Sequence, residues 1–78
     1  MEPYKNLSGR SGVVGFCCGE DYIIVQFRNG EYTFYRYEGK CVEHLIQLAR
    51  SGRGLNAELA RKGHPSYTKR GCSLSEVL

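Results

Sequence analysis

The 78-residue chain has no uninterrupted apolar run long enough to cross a bilayer, and no arginine-flanked apolar leader follows Met1. Both absences set the expectation of a cytoplasmic protein that neither spans nor enters a membrane. A phosphate-binding loop with its lysine is also missing, since Gly52-Arg53-Gly54 is too short to imitate one. His44 on a helix shoulder and His64 in a Gly-x-Pro turn have no sequence neighbours that make a nucleophile, base and orienter arrangement. The adjacent Glu20 and Asp21 read as turn residues rather than an acid–base pair. No catalytic residue and no cofactor is therefore assigned, and the chain reads as non-enzymatic. Internal repeats and low-complexity tracts are absent too, and the length allows one small core and no second domain.

Four cysteines are present, Cys17, Cys18, Cys41 and Cys72, but none forms a Cys-x-x-Cys pair. On a strand Cys17 and Cys18 point to opposite faces, and Cys41 with His44 is only an i, i+3 pair on a helix. No metal site is assigned, and with no signal for export the thiols read as free small hydrophobes. The formal net charge of +3 is unevenly spread. Residues 1–39 carry four basic against five acidic side chains, and residues 40–78 carry seven against three. A basic second half is compatible with a phosphate-bearing partner, although a modest excess on a small domain is more often only a solvated surface.

The strongest local signal is Asn29-Gly30, which joins two extended segments within the stretch from Tyr22 to Tyr37. A two-residue type I′ turn needs positive φ at both central positions, which Asn and Gly supply cheaply. Such a turn pairs Arg28 with Glu31, Phe27 with Tyr32, Val25 with Phe34 and Ile23 with Arg36 on one face, read as core. The other face then carries Gln26 with Thr33, Ile24 with Tyr35, and Tyr22 with Tyr37. This second face reads as a half-polar surface with three tyrosines.

Around the hairpin the remaining elements follow. Residues 1–12 read as a flexible leader. Val13 to Cys18 reads as a strand with a bulge or close approach at Gly15, completing a three-stranded antiparallel meander. Val42, Leu45, Ile46 and Ala49 fall at i, i+3, i+4 and i+7, the mark of an amphipathic helix, and Gly52 and Gly54 end it. Leu55 to Lys62 gives a shorter helix stopped by Gly63, His64 and Pro65. Ser66 to Arg70 reads as a short fourth strand, and residues 71–78 as a tail too brief to assign. The expected fold is α+β, a meander packed by one longer and one shorter helix, with a single domain over residues 13–70.

Aromatic side chains on an exposed sheet stack single-stranded bases, and nearby basic groups hold the phosphates. Tyr22, Tyr35 and Tyr37 are the candidate platform, with Arg28, Arg53, Arg61, Lys62, Lys69 and Arg70 as phosphate contacts. The competing reading is structural: tyrosine favours strands, and all three rings then pack under the C-terminal segment or the first helix.

The order of these signals resembles the KTSC family of small domains, over roughly Ser11 to Tyr67. Tyr35-Arg36-Tyr37 is similar to that family's central Tyr-x-Tyr, and Phe27-Arg28-Asn29-Gly30 to its Phe-x-Asn-Gly. Ala49-Arg50-Ser51 matches its Ala-x-Ser, and Leu55-Asn56-Ala57-Glu58-Leu59 stands for its Phe-Asn-x-x-Ile. Its Gly-Tyr-Asp is replaced by Gly15-Phe16-Cys17, and Glu38-Gly39-Lys40 stands where a proline is usual. The resemblance implies a small domain of a kind found in phage genomes and at the C-terminus of some lysyl-tRNA synthetases. It implies RNA, single-stranded or structured, as a partner, and, as the alternative, a phage-type accessory protein that binds a host protein. Oligomeric state is not implied.

Overall fold

A computed structural model describes residues 1–7, 12–29, 31–39, 42–60 and 67–78. In chain order these form β1 (Glu2–Pro3), β2 (Val13–Cys18), β3 (Tyr22–Asn29), β4 (Glu31–Glu38), α1 (Val42–Ser51), α2 (Leu55–Ala60), β5 (Lys69–Gly71) and a 3₁₀ turn at Leu74–Glu76. The fold is α+β. Its antiparallel sheet runs in the order β1-β2-β3-β4-β5 among the described residues, so the meander gains a strand at each edge.

Two elements form where the local pattern demands. In β2, Val13 pairs with Phe27 and Gly15 with Gln26, so the bulge falls between them. A Cβ at Gly15 would stand 3.0 Å from the Glu2 carbonyl oxygen, the close approach of β1. In α1, the apolar stripe buries Val42, Leu45 and Ala49 against the sheet, Glu43 lies in the first turn and Arg50 in the last. Gly52 donates its N–H to the Leu48 carbonyl at φ +82° and ends the helix. A side chain there would also collide with Lys5.

The hairpin register differs from the expected one by a single residue. Asn29 pairs with Glu31, Arg28 with Tyr32, Gln26 with Phe34, Ile24 with Arg36 and Ile23 with Tyr37. The expected pairs Arg28 with Glu31, Val25 with Phe34 and Ile23 with Arg36 do not form. Because side chains alternate with period two, a one-residue slip sends every β4 side chain to the opposite face. Gly30, on which the two-residue turn rests, lies outside the described residues. The physical reason for the register is Arg36. Opposite Ile23, which is fully buried, its guanidinium would be stripped of water without a partner, a cost that outweighs any turn preference. The observed register buries Tyr37 in that place instead.

Both faces of the sheet are covered, so Ile23, Ile24 and Val25 are all fully buried in succession. One face carries Val13, Phe16, Ile23, Val25 and Tyr37 beneath α1 and α2, joined by Tyr4. The other carries Ile24 and Phe34 beneath Val77, with Leu74, Cys17 and Tyr22 packed beside them. Ile24 is thus core rather than polar surface, and Tyr32 is exposed rather than core.

The termini depart from the expected leader and tail. Glu2 pairs with Phe16, Tyr4 is buried with its hydroxyl accepting the Leu55 N–H at 3.4 Å, and the Leu7 N–H reaches the Gly52 carbonyl at 2.7 Å. Residues 8–11 of the expected leader lie outside the described residues. At the other end Val77 is fully buried. Val77→Ala is expected to lower the unfolding free energy by about 2 kcal/mol, measured by urea denaturation. A loss below about 0.5 kcal/mol would show that the C-terminal segment stands outside the cooperative core.

Candidate nucleic-acid interface

The helices cover only part of their face of the sheet. Alternation along β4 points Tyr35 and Tyr37 to that side. Tyr37 lies under the helices at 4% exposure, and burial, then the neighbouring Tyr35 and Tyr67, push its phenol up to about 12. One step outward, Tyr35 and Phe27 are half-buried at the margin of the helix-covered core. Phe27 and Tyr35 meet edge to face at 5.4 Å, and Tyr35 and Tyr67 at 5.0 Å. Tyr67 remains 47% exposed. The β4–β5 register pairs Tyr35 with Arg70, which brings the guanidinium over the Tyr35 ring, 5.7 Å from its centroid. Phe27, Tyr35, Tyr67 and Arg70 therefore form one aromatic and cationic patch at the β5 side of the sheet.

On the opposite face the residues beside the hairpin turn are open. Arg28 and Tyr32 are cross-strand partners, with the guanidinium 5.9 Å from the ring centroid and Tyr32 48% exposed. Further along this face the C-terminal segment closes over the sheet. Arg36 lies over Tyr22 at 4.1 Å, donates Nε–H to Glu38 Oε2 at 2.9 Å and donates from Nη1 to the Val77 carbonyl at 3.3 Å. Thr68 Oγ1 donates to the same Glu38 oxygen at 2.9 Å. These two bonds, that of Arg36 first, hold the Glu38 carboxyl below its ordinary range.

The three tyrosines assigned to one platform are therefore divided. Tyr22 lies on the far face, capped by Arg36; Tyr37 is core; Tyr35 alone borders the open patch. Of the assigned cations, Arg70 joins Tyr35 and Arg28 joins Tyr32. Lys69 faces the C-terminal side, where Nζ donates to the Leu78 carbonyl at 2.9 Å. Arg53 sits beside Gly52, which packs on Lys5 and Leu7, next to the edge formed by β1 and away from β5. Arg61 and Lys62 lie outside the described residues. Two rings escaped the sequence reading. The expected register places Tyr32 in the core, and Tyr67 enters the sequence pattern only within the expected fourth strand.

Among the described residues no group of three His, Cys, Asp or Glu side chains stands together as a metal site. Cys41 lies outside them. Burial pushes the Cys17 thiol up, and Arg50 donates to Cys18 Sγ at 3.5 Å. His44 Nε2 stands 3.7 Å from Glu58 Oε1. No helix of the described residues is long and apolar enough to cross a membrane. Neither the protein-family models nor the curated proteins nor the solved structures contain a match to this chain.

The buried phenol makes stability sensitive to alkali. A pKa raised above the ordinary 10 means that the folded state favours the neutral form, so Tyr37 contributes fully below pH 10. Its contribution falls as pH rises towards 12, by about 2 kcal/mol at that limit. Urea unfolding at stepped alkaline pH checks this. Tyr37→Phe is expected to flatten the decline, and an equal decline in both proteins would assign it to other groups.

Proposed function

We propose that this chain is a small non-enzymatic binding module for nucleic acid, RNA foremost, acting in the cytoplasm as a KTSC-like domain. The observation that carries the proposal is the Arg70 guanidinium over Tyr35 with the Tyr67 ring exposed beside it. A base stacks on an accessible aromatic face with little regard to sequence, and a guanidinium at its side meets the phosphate. Arg70 is placed by β5, and the Tyr67 ring already rests edge to face on Tyr35, so part of their side-chain freedom is given up before binding. The basic excess of the second half adds long-range attraction for a polyanion.

The competing proposal, a phage-type accessory protein that occupies a host protein, draws on the same exposed tyrosines, because Tyr and Arg also dominate interface hot spots. Salt separates the two. Phosphate contacts release counterions, so affinity falls steeply as salt rises, whereas an interface anchored by buried rings changes little.

Fluorescence anisotropy with a labelled oligoribonucleotide at low salt tests the proposal. Tyr67→Ala and Arg70→Ala are each expected to weaken binding about tenfold, in line with roughly 1–3 kcal/mol per stacked base, while leaving the thermal melt nearly unchanged. Absence of wild-type binding at low salt removes nucleic acid as the partner.

A further inference from the structure

Two groups of cations and rings stand on opposite faces of β4: Arg70 with Tyr35 and Tyr67 at mid-strand on one, Arg28 with Tyr32 beside the hairpin turn on the other. We propose that the nucleic acid is a single strand that passes round the outer edge of β4 and engages both pairs, so that Arg28 and Tyr32 are a second contact site. The inference rests on the nucleic-acid function proposed above and narrows its ligand to unpaired chains.

The topology leaves a path for such a strand. Tyr32 and Tyr35 are three residues apart on β4, about 10 Å along the strand, and an odd spacing points them to opposite faces. Of the two residues between them, Phe34 is paired with β5 and the edge is open only from Thr33 to Tyr32. β5 reaches only as far as Gly71, opposite Phe34, and no described strand stands beside Tyr32 and Thr33 on that side. Beyond Gly71 the chain enters the 3₁₀ segment, where Leu74 packs beside Ile24 and Phe34 and Glu76 stands against Gly71, accepting the Cys72 N–H at 3.1 Å.

Backbone direction adds polar groups along the path. The Thr68 N–H donates to the Arg36 carbonyl, so Arg36 turns its backbone groups towards β5. With period two, Phe34 and Tyr32 turn theirs the same way. Tyr32 thus presents an outward N–H and C=O next to its exposed ring, where a base edge or a phosphate oxygen is within reach. A duplex cannot use both sites. Its persistence length is about 150 base pairs, so it cannot bend round an edge one strand thick, whereas a single strand rotates freely at each nucleotide.

A structural role for Arg28 and Tyr32 predicts a different result. A cross-strand pair on an exposed hairpin supports the fold slightly and has no effect on a ligand. The experiment uses the full chain with fluorescein-labelled oligouridylate of about eight and about four nucleotides, and a blunt RNA duplex of matched length. Tyr32→Ala and Arg28→Ala are each expected to weaken the longer probe about tenfold and the shorter one by less than twofold, and the duplex to bind at least tenfold more weakly than the longer single strand. Ultraviolet crosslinking of the wild-type protein to the longer probe is expected to label the peptides carrying Tyr32 and Tyr67 together, which needs no variant to fold.

Loss of binding in Tyr67→Ala with none in Tyr32→Ala, or labelling at Tyr67 alone, would overturn the two-faced path while the nucleic-acid function stands. Equal affinity for the duplex would overturn it as well. Failure of wild type to bind either single strand removes both.

Discussion

The structure depends on where Arg36 goes. A guanidinium cannot lie unpaired in the apolar layer between sheet and helix, and one position in β4 decides whether it does. With Arg36 opposite Ile24 it leaves that layer, stacks on Tyr22, pairs with Glu38 and donates to the Val77 carbonyl. The same choice turns Tyr37 inward beneath the helices and Phe34 inward beneath Val77. One side chain's solvation thus selects the register, and the register selects both cores.

Two covers of unequal weight follow. On one face the helices α1 and α2 bury a cluster that also takes in Tyr4 from the N-terminal segment. On the other, a single 3₁₀ turn and Val77 cover Ile24 and Phe34, held by Arg36 and by Lys69 on the last two carbonyls. A chain of this length has little apolar area to spare, so recruiting both termini into the cores is the means by which it closes a sheet on both sides. Neither cover extends to the distal end of the hairpin. Phe27 on one face and Tyr32 on the other remain partly or wholly exposed there, Tyr32 beside Arg28, and Tyr35 at mid-strand is half-buried beside Arg70.

The exposed rings and the guanidinium groups beside them lie outside both covers. Two of the proposed cation–ring pairs are positioned by strand pairing: Arg70 reaches Tyr35 because β5 pairs with β4, and Arg28 reaches Tyr32 because β3 does. Strand placement holds a ring and a cation at a constant separation, which suits stacking on bases better than a flexible arm would. Tyr37, by contrast, serves the core, and its raised pKa reports burial rather than reactivity.

Local signals alone determined a good deal. The apolar stripe from Val42 to Ala49 and the positive φ of Gly52 and Gly54 follow from helical periodicity and from glycine's freedom, both properties of neighbouring residues. The bulge at Gly15 and the extended runs on either side of Asn29-Gly30 were legible for the same reason. The pairing of those runs was not. Alternating apolar residues in β4 fit either face when both faces have a cover, and the second cover comes from Leu74 and Val77, some forty residues away in the chain. Tyr4, Tyr67 and Val77 likewise acquire their roles only through contacts distant in sequence. Sequence determined the elements and their order; tertiary packing decided which tyrosines were spent on the cores and which were left at the surface, because burial is a property of the assembled sheet.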